Sequence, residues 1–233
     1  MGGRDVKGVG IIIQARMGSA RLPGKVLRPV GHLPLLGHVL GRLQMLATPI
    51  SAVVATSTSP QDDILAHWCQ RQHIPHFRGS EADVLDRYVQ CAEQCGFLHV
   101  VRLTGDNPFT DIEELDRLVA LHLAEGDDYT HSFGQLPLGV GAEIFTLDAL
   151  KKSHAESHAP NHREHVNEYI QENPALFRIG VLKVPPKKRA PALRLTVDTE
   201  MDLERAAYLA EYARGRWLTT QEAIKLYDRG EIV

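Results

Sequence analysis

The 233 residues are 43% hydrophobic and 24% charged, with a formal net charge of −3. That is the balance of a globular protein able to bury one sizeable core, and one α/β domain is expected. A negative chain has no general field for a phosphodiester backbone, so nucleic acid is not an expected partner. No run approaches the ~20 apolar residues needed to cross a bilayer, and the first residues lack the apolar stretch of a secretory leader. The expected location is the cytoplasm, with no membrane partner. Cys69, Cys91 and Cys95 cannot all pair and form no C-x-x-C motif, so they read as reduced thiols.

In chain order, Val9–Gln14 (VGIIIQ) is a short apolar run with a polar end, as in a buried parallel strand. A loop with Gly18, Pro23 and Gly24 follows. Leu36, Val39, Leu40 and Leu43 recur at helical spacing and predict a helix with one apolar stripe. Residues 50–55 read as a second strand. Ser59 and Pro60 offer an N-cap and an N1 proline, and Asp62 and Asp63 suit the first turn of the next helix.

Residues 74–77 are a third strand, 81–95 a helix, and 98–103 a strand running into Thr104-Gly105-Asp106. Residues 112–124 form the next helix. Strands are expected over 129–133 and 142–147, and helices over 147–155 and 163–171. Residues 177–184 and 193–197 are strands that can pair across the Pro185-Pro186-Lys187-Lys188-Arg189 turn. Two helices starting near Thr199 and Thr219 close the chain, the second with a capping box of Thr219 and Glu222. Strand–helix alternation implies βαβ crossovers and a mostly parallel sheet with helices on both faces; the second half adds a mixed-sheet character. One domain over 1–233 is expected, with an excursion around 128–192 serving as lid or dimer contact.

The chemistry concentrates in Gln14-Ala15-Arg16-Met17-Gly18-Ser19-Ala20-Arg21-Leu22-Pro23-Gly24-Lys25, directly after the first strand. In an open parallel sheet, ligands bind beyond the carboxyl ends of the strands. A Gly- and Ser-containing loop there can turn backbone N–H groups toward phosphate, and Arg16, Arg21 and Lys25 add three cations suited to a triphosphate. The alternative is a solvated basic loop. The stretch is neither a P-loop nor a dinucleotide fingerprint.

Asp106 ends one apolar strand and Asp198 another, far away in sequence. Two carboxylates converging from separate strand ends make a sensible Mg²⁺ clamp, because magnesium takes one or two carboxylates along with phosphate oxygens and water. Taken singly, Asp106 also reads as a turn residue and Asp198 as a helix N-cap. Gly79 permits close approach of a flat base, while Ser80 also reads as a helix cap. Asp83 and Arg87 are spaced as a surface ion pair. Arg102 enters a buried strand and needs a partner, either a carboxylate or the nucleotide. His154, His158, His162 and His165 invite zinc, but Pro160-Asn161 interrupts a helical array, and a polar loop fits better.

The set as a whole resembles the cytidylyltransferases for Kdo and acylneuraminate, and most closely the spore-coat polysaccharide biosynthesis protein F group. The resemblance rests on the 14–25 loop together with Val54-Ala-Thr-Ser57, Phe77-Arg-Gly-Ser-Glu-Ala-Asp-Val-Leu-Asp-Arg87 and Val101-Arg-Leu-Thr-Gly-Asp-Asn-Pro108. Arg163-Glu-His-Val166 and Thr196-Val-Asp-Thr199 complete it. These motifs follow the family's order over roughly residues 9–213; each alone is weak and the ordered set is strong. One departure stands out. Where the spore-coat group carries Gly-Leu-Asp-Val-Glu, this chain has Gly139-Val-Gly-Ala-Glu143, so Gly141 removes a carboxylate while Glu143 remains.

The resemblance implies a three-layer α/β/α, Rossmann-like (GT-A-like) nucleotidyltransferase fold with a mostly parallel mixed sheet. It implies transfer of CMP from CTP to a sugar-like acceptor, with Mg²⁺ on Asp106 and Asp198 and a homodimer. Nucleotide contacts fall to Gln14, Ala15, Arg16, Gly18, Ser19, Arg21, Lys25, Gly79, Ser80 and Asp106, with Arg16, Lys25 and Asp106 acting in catalysis. Acceptor contacts fall to Glu143, Arg163, Glu164 and His165. The acceptor is an acidic 2-keto sugar or a phosphorylated sugar or polyol. A glycosyltransferase is the first alternative, but Gly105-Asp106-Asn107 stands where an Asp-x-Asp motif belongs. A non-catalytic nucleotide-binding protein is the second, although the metal carboxylates and loop cations are all retained.

Overall fold

Three consecutive isoleucines, Ile11, Ile12 and Ile13, are fully buried in β1 (Val9–Gln14), which requires cover on both faces of its sheet. The computed structural model, which describes residues 8–214 and 216–232, supplies that cover. The first seven residues, on which the expected absence of a leader rests, lie outside the described part.

A small hairpin, β2 (Pro29–Val30) with β3 (Leu33–Pro34), leads into α1 (Leu35–Leu43). Then come β4 (Ser51–Ser57), α2 (Asp63–Arg71), β5 (His76–Gly79), α3 (Val84–Cys95), β6 (His99–Thr104) and α4 (Ile112–Glu125). The second half holds β7 (Tyr129–His131), β8 (Glu143–Thr146), α5 (Leu147–Glu156), α6 (Pro160–Glu164), α7 (Glu168–Glu172), β9 (Ile179–Val181), α8 (Glu200–Tyr212) and α9 (Thr220–Asp228).

The main sheet has seven strands in the order β5-β4-β1-β6-β8-β7-β9. Every neighbouring pair is parallel except those made by β8, which runs antiparallel to both β6 and β7. The period-2 alternation of side chains sorts the isoleucines. Ile11 and Ile13 pack with Leu36 and Val39 of α1 and Leu115 and Leu118 of α4, while Ile12 packs with Leu85 and Tyr88 of α3 on the other face. The result is the expected three-layer, mixed but mostly parallel α/β/α architecture. A third apolar cluster joins α8 and α9 to Val30 and to Leu22 in the loop after β1. No helix among the described residues is long and apolar enough to cross a membrane.

Several local expectations are corrected. Residues 177–184 and 193–197 do not pair with each other. Three prolines (Pro185, Pro186 and Pro191) remove ladder donors from the connection, and Pro186–Lys188 instead winds into a short 3₁₀ turn. β9 pairs in parallel with β7, and residues 193–197 run past the 138–140 loop through a single bridge between Leu138 and Arg194.

The helix expected over 163–171 is two short helices, because His165 leaves the helical region and Val166 is drawn fully into the core. Asp83 and Arg87 form no surface pair. Asp83 caps α3 by accepting the Asp86 N–H, and Arg87 is fully buried. Asp62 also turns inward, accepting the Met17 N–H at 2.7 Å and the Ser57 N–H and hydroxyl.

Between α4 and the sheet, buried His122 pairs with half-buried His99. His122 faces His99 at 3.0 Å through one nitrogen and the Thr130 hydroxyl at 2.9 Å through the other. Burial, reinforced by the neighbouring His99, lowers the His122 pKa to about 4. The unfolded chain therefore binds a proton that the folded chain refuses between about pH 6.5 and pH 4. Stability should fall across that window by an amount on the order of 2–3 kcal/mol at this one site. Denaturant melts at stepped pH check this, and His122→Gln should flatten the acid limb.

Candidate functional site

β1, β4, β5 and β6 all end on one edge of the sheet, and the loop after β1 folds over that edge. Its geometry is set locally. Met17 accepts N–H groups from Ser19 and Gly24 through its carbonyl and donates its own N–H to buried Asp62. Gly24 takes a left-handed φ of 70°, which returns the chain to the sheet and starts the 3₁₀ turn carrying Lys25. The Lys25 stem is buried as a result, and its ammonium emerges beneath the loop.

Asp106 arrives at the end of β6, where the Gly105 N–H binds the Gln14 carbonyl at 2.8 Å. Asp198 arrives from the irregular 193–197 segment, which is pinned when the Val197 N–H donates to the Asp106 carbonyl at 2.9 Å. The two carboxylates then share one ammonium. Lys25 Nζ donates to Asp106 at 2.8 Å, to Asp198 at 2.9 Å and to the Val197 carbonyl at 2.8 Å. The Thr104 hydroxyl donates to the other Asp106 oxygen at 2.6 Å.

Asp198 is not the cap of α8. Thr199 takes that role, with Asp202 completing a capping box, which leaves the Asp198 side chain for the site. Arg21 at 3.1 Å and Arg194 also pair with Asp198. Burial acts to raise its pKa, but hydrogen bonds and charge from Lys25, Arg194 and Arg21 outweigh it and hold the carboxyl below its ordinary value.

Over this group opens a cavity of about 420 Å³. Gln14, Ala15, Arg16, Ser19, Arg21, Lys25, Asp106, Glu164, His165 and Asp198, all named from sequence, line it. Arg102, Thr104, Gly105 and Val26 line it too; Arg102 stands out in the sequence as a cation inside an apolar strand, and Thr104 and Gly105 belong to the same motif as Asp106. The loop cations Arg16 and Arg21 stand partly in solvent, with Glu164 3.9 Å from Arg16. The end of β6 and the irregular segment before α8 thus present a cation-holding carboxylate pair beside a basic loop.

Other expected residues lie elsewhere. Gly79 and Ser80 are not part of this lining, nor is Gly18. A Cβ at Gly79 would stand 2.8 Å from the Phe77 ring and 3.0 Å from Arg87 Cγ, so packing alone requires glycine there. The Ser80 hydroxyl accepts the Asp83 N–H at 3.0 Å, closing the strand-to-helix turn.

Arg163 is engaged by Asp83 at 3.3 Å and by the His154 carbonyl at 2.9 Å, away from the cavity. Glu143 is fully buried beneath the site, where it accepts from Arg102 at 2.5 Å, from the Tyr129 hydroxyl at 2.6 Å and from Asn167 at 2.9 Å. It works as an internal counterion, a role the linear motif does not distinguish from acceptor binding. The histidines of the 154–165 stretch divide among partners, His154 with Asp86 at 3.2 Å and His162 with Glu172 at 2.7 Å.

A second cavity of about 350 Å³ lies across Asp106 from the first. Arg102, Thr104 and Asp106 line both. Its remaining wall is largely apolar, with Phe133, Leu136, Pro137 and Leu138, and it includes Gly139 and Gly141. Gly139, at φ 89°, lies so close to the 193–197 segment that a Cβ would stand 2.6 Å from the Thr196 nitrogen. At Gly141 a Cβ would be 3.0 Å from the Ser132 hydroxyl. The departure from Gly-Leu-Asp-Val-Glu therefore falls on this wall.

Strand order, loop and paired carboxylates define an α/β nucleotidyltransferase. The chain belongs to the cytidylyltransferase family, whose sequence profile matches residues 10–227. It is 42% identical over 224 residues to the spore coat polysaccharide biosynthesis protein SpsF of Bacillus subtilis, an alignment spanning 94% of this chain and 93% of that one. A solved cytidylyltransferase from Leptospira borgpetersenii matches at a TM-score of 0.89 and 32% identity, over 96% of this chain and 95% of the other. A CMP:2-keto-3-deoxy-manno-octonic acid synthetase complexed with CTP shares the fold at a TM-score of 0.69 and 17% identity, over 88% and 98% of the two chains.

Removing the shared ammonium should leave two carboxylates facing each other with less compensation. Lys25→Met is expected to lower stability by roughly 1–3 kcal/mol at pH 7. Because the Asp198 pKa is depressed in the folded state, that loss should shrink as pH falls through the carboxylate range. Urea melts of both proteins at pH 7 and at about pH 3, below the ordinary carboxylate value, measure it.

Proposed function

We propose that this cytidylyltransferase transfers CMP from CTP to a sugar-like acceptor, an acidic 2-keto sugar or a phosphorylated sugar or polyol, for cell-surface polysaccharide or glycan synthesis. The observation that carries the reading is the convergence of Asp106 and Asp198 on the Lys25 ammonium at the edge of a cavity roofed by the basic loop. Similarity to the spore coat polysaccharide protein of Bacillus, and a fold shared with the CTP-bound synthetase, support the substrate class.

The donor chemistry fits magnesium. Two hard carboxylates share one cation already, and Asp106 and Asp198 are both partly open to the cavity where phosphate oxygens would complete the set. Bound there, Mg²⁺ supplies charge neutralisation on the phosphates and a lowered pKa for an acceptor hydroxyl.

The chain's own residues do the rest. Backbone N–H groups of the loop and the Arg16 and Arg21 guanidiniums hold the triphosphate. Lys25, relieved of part of its carboxylate load, offsets charge on the α-phosphate and the leaving group. The acceptor oxygen forms its bond to the α-phosphorus as the bond to the bridging oxygen breaks. The electron pair leaves with pyrophosphate, and the hydroxyl proton passes to water. The acceptor lies in the second cavity, across Asp106, with Glu164 and His165 at the rim of the first. Catalysis is then positioning and electrostatics without a covalent intermediate. The chain works in the cytoplasm as a homodimer, with residues around 128–192 as lid or dimer contact.

The test is pyrophosphate release with Mg²⁺ and each of the four NTPs, against a pooled panel of acidic sugars and phosphorylated polyols. Release is expected with CTP alone, and only with metal and pool together. Asp106→Asn and Asp198→Asn should each lower turnover on the order of 100–1,000-fold. Appreciable activity surviving in either variant would sink the carboxylate pair as the centre of the reaction.

A further inference from the structure

Among the described residues, Arg102 is the one cation that lines both cavities. Its position is dictated by sheet register, since β6 and β8 run antiparallel with Arg102 directly opposite Glu143. The guanidinium is held from three sides. One terminal nitrogen donates to Glu143 at 2.5 Å and the other lies 3.3 Å from the Gln14 side-chain oxygen. The ring of fully buried Tyr88 stands 5.9 Å from its central carbon. Glu143 is fixed in turn by Tyr129 and Asn167. Nε of Arg102 is buried and has no hydrogen-bond partner among the described residues, so the open part of the side chain lies at its terminal nitrogens.

A guanidinium so fully anchored, on a side chain that stays 17% exposed where two cavities meet, is a preorganised site for an anionic oxygen. The cavity on one side carries the nucleotide loop and the cavity on the other lies beyond Asp106. The group that crosses from one side to the other is the α-phosphate. We propose that Arg102 is a further catalytic residue, contacting a non-bridging oxygen of the transferring α-phosphate, and that Glu143 is the positioning residue that holds it there. The inference rests on the cytidylyl-transfer reading above.

An alternative role is purely structural, with Arg102 serving only to neutralise buried Glu143. Removing one partner of a buried pair is strongly destabilising, whereas removing both charges is often close to neutral. Two variants therefore separate the roles, Arg102→Met and Arg102→Met/Glu143→Gln. The probes are CMP, which carries the α-phosphate alone, and cytidine, which carries none; each is titrated calorimetrically with Mg²⁺ present, alongside thermal melts.

Arg102→Met should melt lower, and the double variant should regain most of that loss. Both should bind CMP about tenfold or more weakly while holding cytidine within about twofold, as expected when one charge-assisted contact to phosphate is lost. A double variant that recovers the wild-type preference for CMP would reduce Arg102 to a counterion. A ratio of CMP to cytidine affinity equal in wild type and Arg102→Met would overturn the contact as well. Wild-type protein that shows no preference for CTP among the four NTPs defeats the reading of cytidylyl transfer instead. A CTP preference with an unchanged ratio defeats only the role of Arg102.

Discussion

A single ammonium holds the functional edge of this protein together. Lys25 bonds to Asp106, Asp198 and the Val197 carbonyl at once, joining the loop after β1, the end of β6 and the segment before α8. These elements are separated by 81 and 172 residues of chain. Two carboxylates brought this close repel unless a cation lies between them. The ammonium offsets that repulsion, and together with Arg21 and Arg194 it holds the Asp198 carboxyl below its ordinary value.

Beneath that edge runs a second layer of polar contacts that sets the geometry above it. Asp62 holds the Met17 N–H and the end of β4 together, so the basic loop leaves the sheet in one direction. Glu143 anchors Arg102 from the far side, and Tyr129 and Asn167 anchor Glu143. Charges buried in this way contribute little to stability by themselves, because desolvation offsets much of their attraction. Their value is fixed orientation at the junction of two cavities.

The strand ends and the loop are legible in the sequence because they follow local rules. An apolar run that stops at a Gly or Asp, followed by glycines and cations, marks the ligand edge of a parallel sheet whatever the rest of the chain does. The helix signals hold for the same reason. Thr219 and Glu222 form their capping box, and the Leu36–Leu43 stripe packs on Ile11 and Ile13. Glu143 and Arg163 mislead a linear reading because a motif records which residues are present and not which way they face. Glu143 points inward at Arg102 and Arg163 at Asp83. Arg87 has the spacing of a surface residue, yet the side of α3 that carries it is pressed against Gly79.

By itself the sequence determined the α/β layering, the ordered motifs of a cytidylyltransferase and most of the residues that line the cavity over Asp106 and Asp198. Periodicity, capping and turn chemistry are properties of neighbouring residues, and a short window contains them. Only the tertiary structure decided that Asp198 is released from capping by Thr199, that Lys25 lies between the two carboxylates, and that Arg102 is shared by two cavities. Each depends on register or convergence between segments far apart in the chain. Such distances are set by packing of the whole core, which no local pattern encodes.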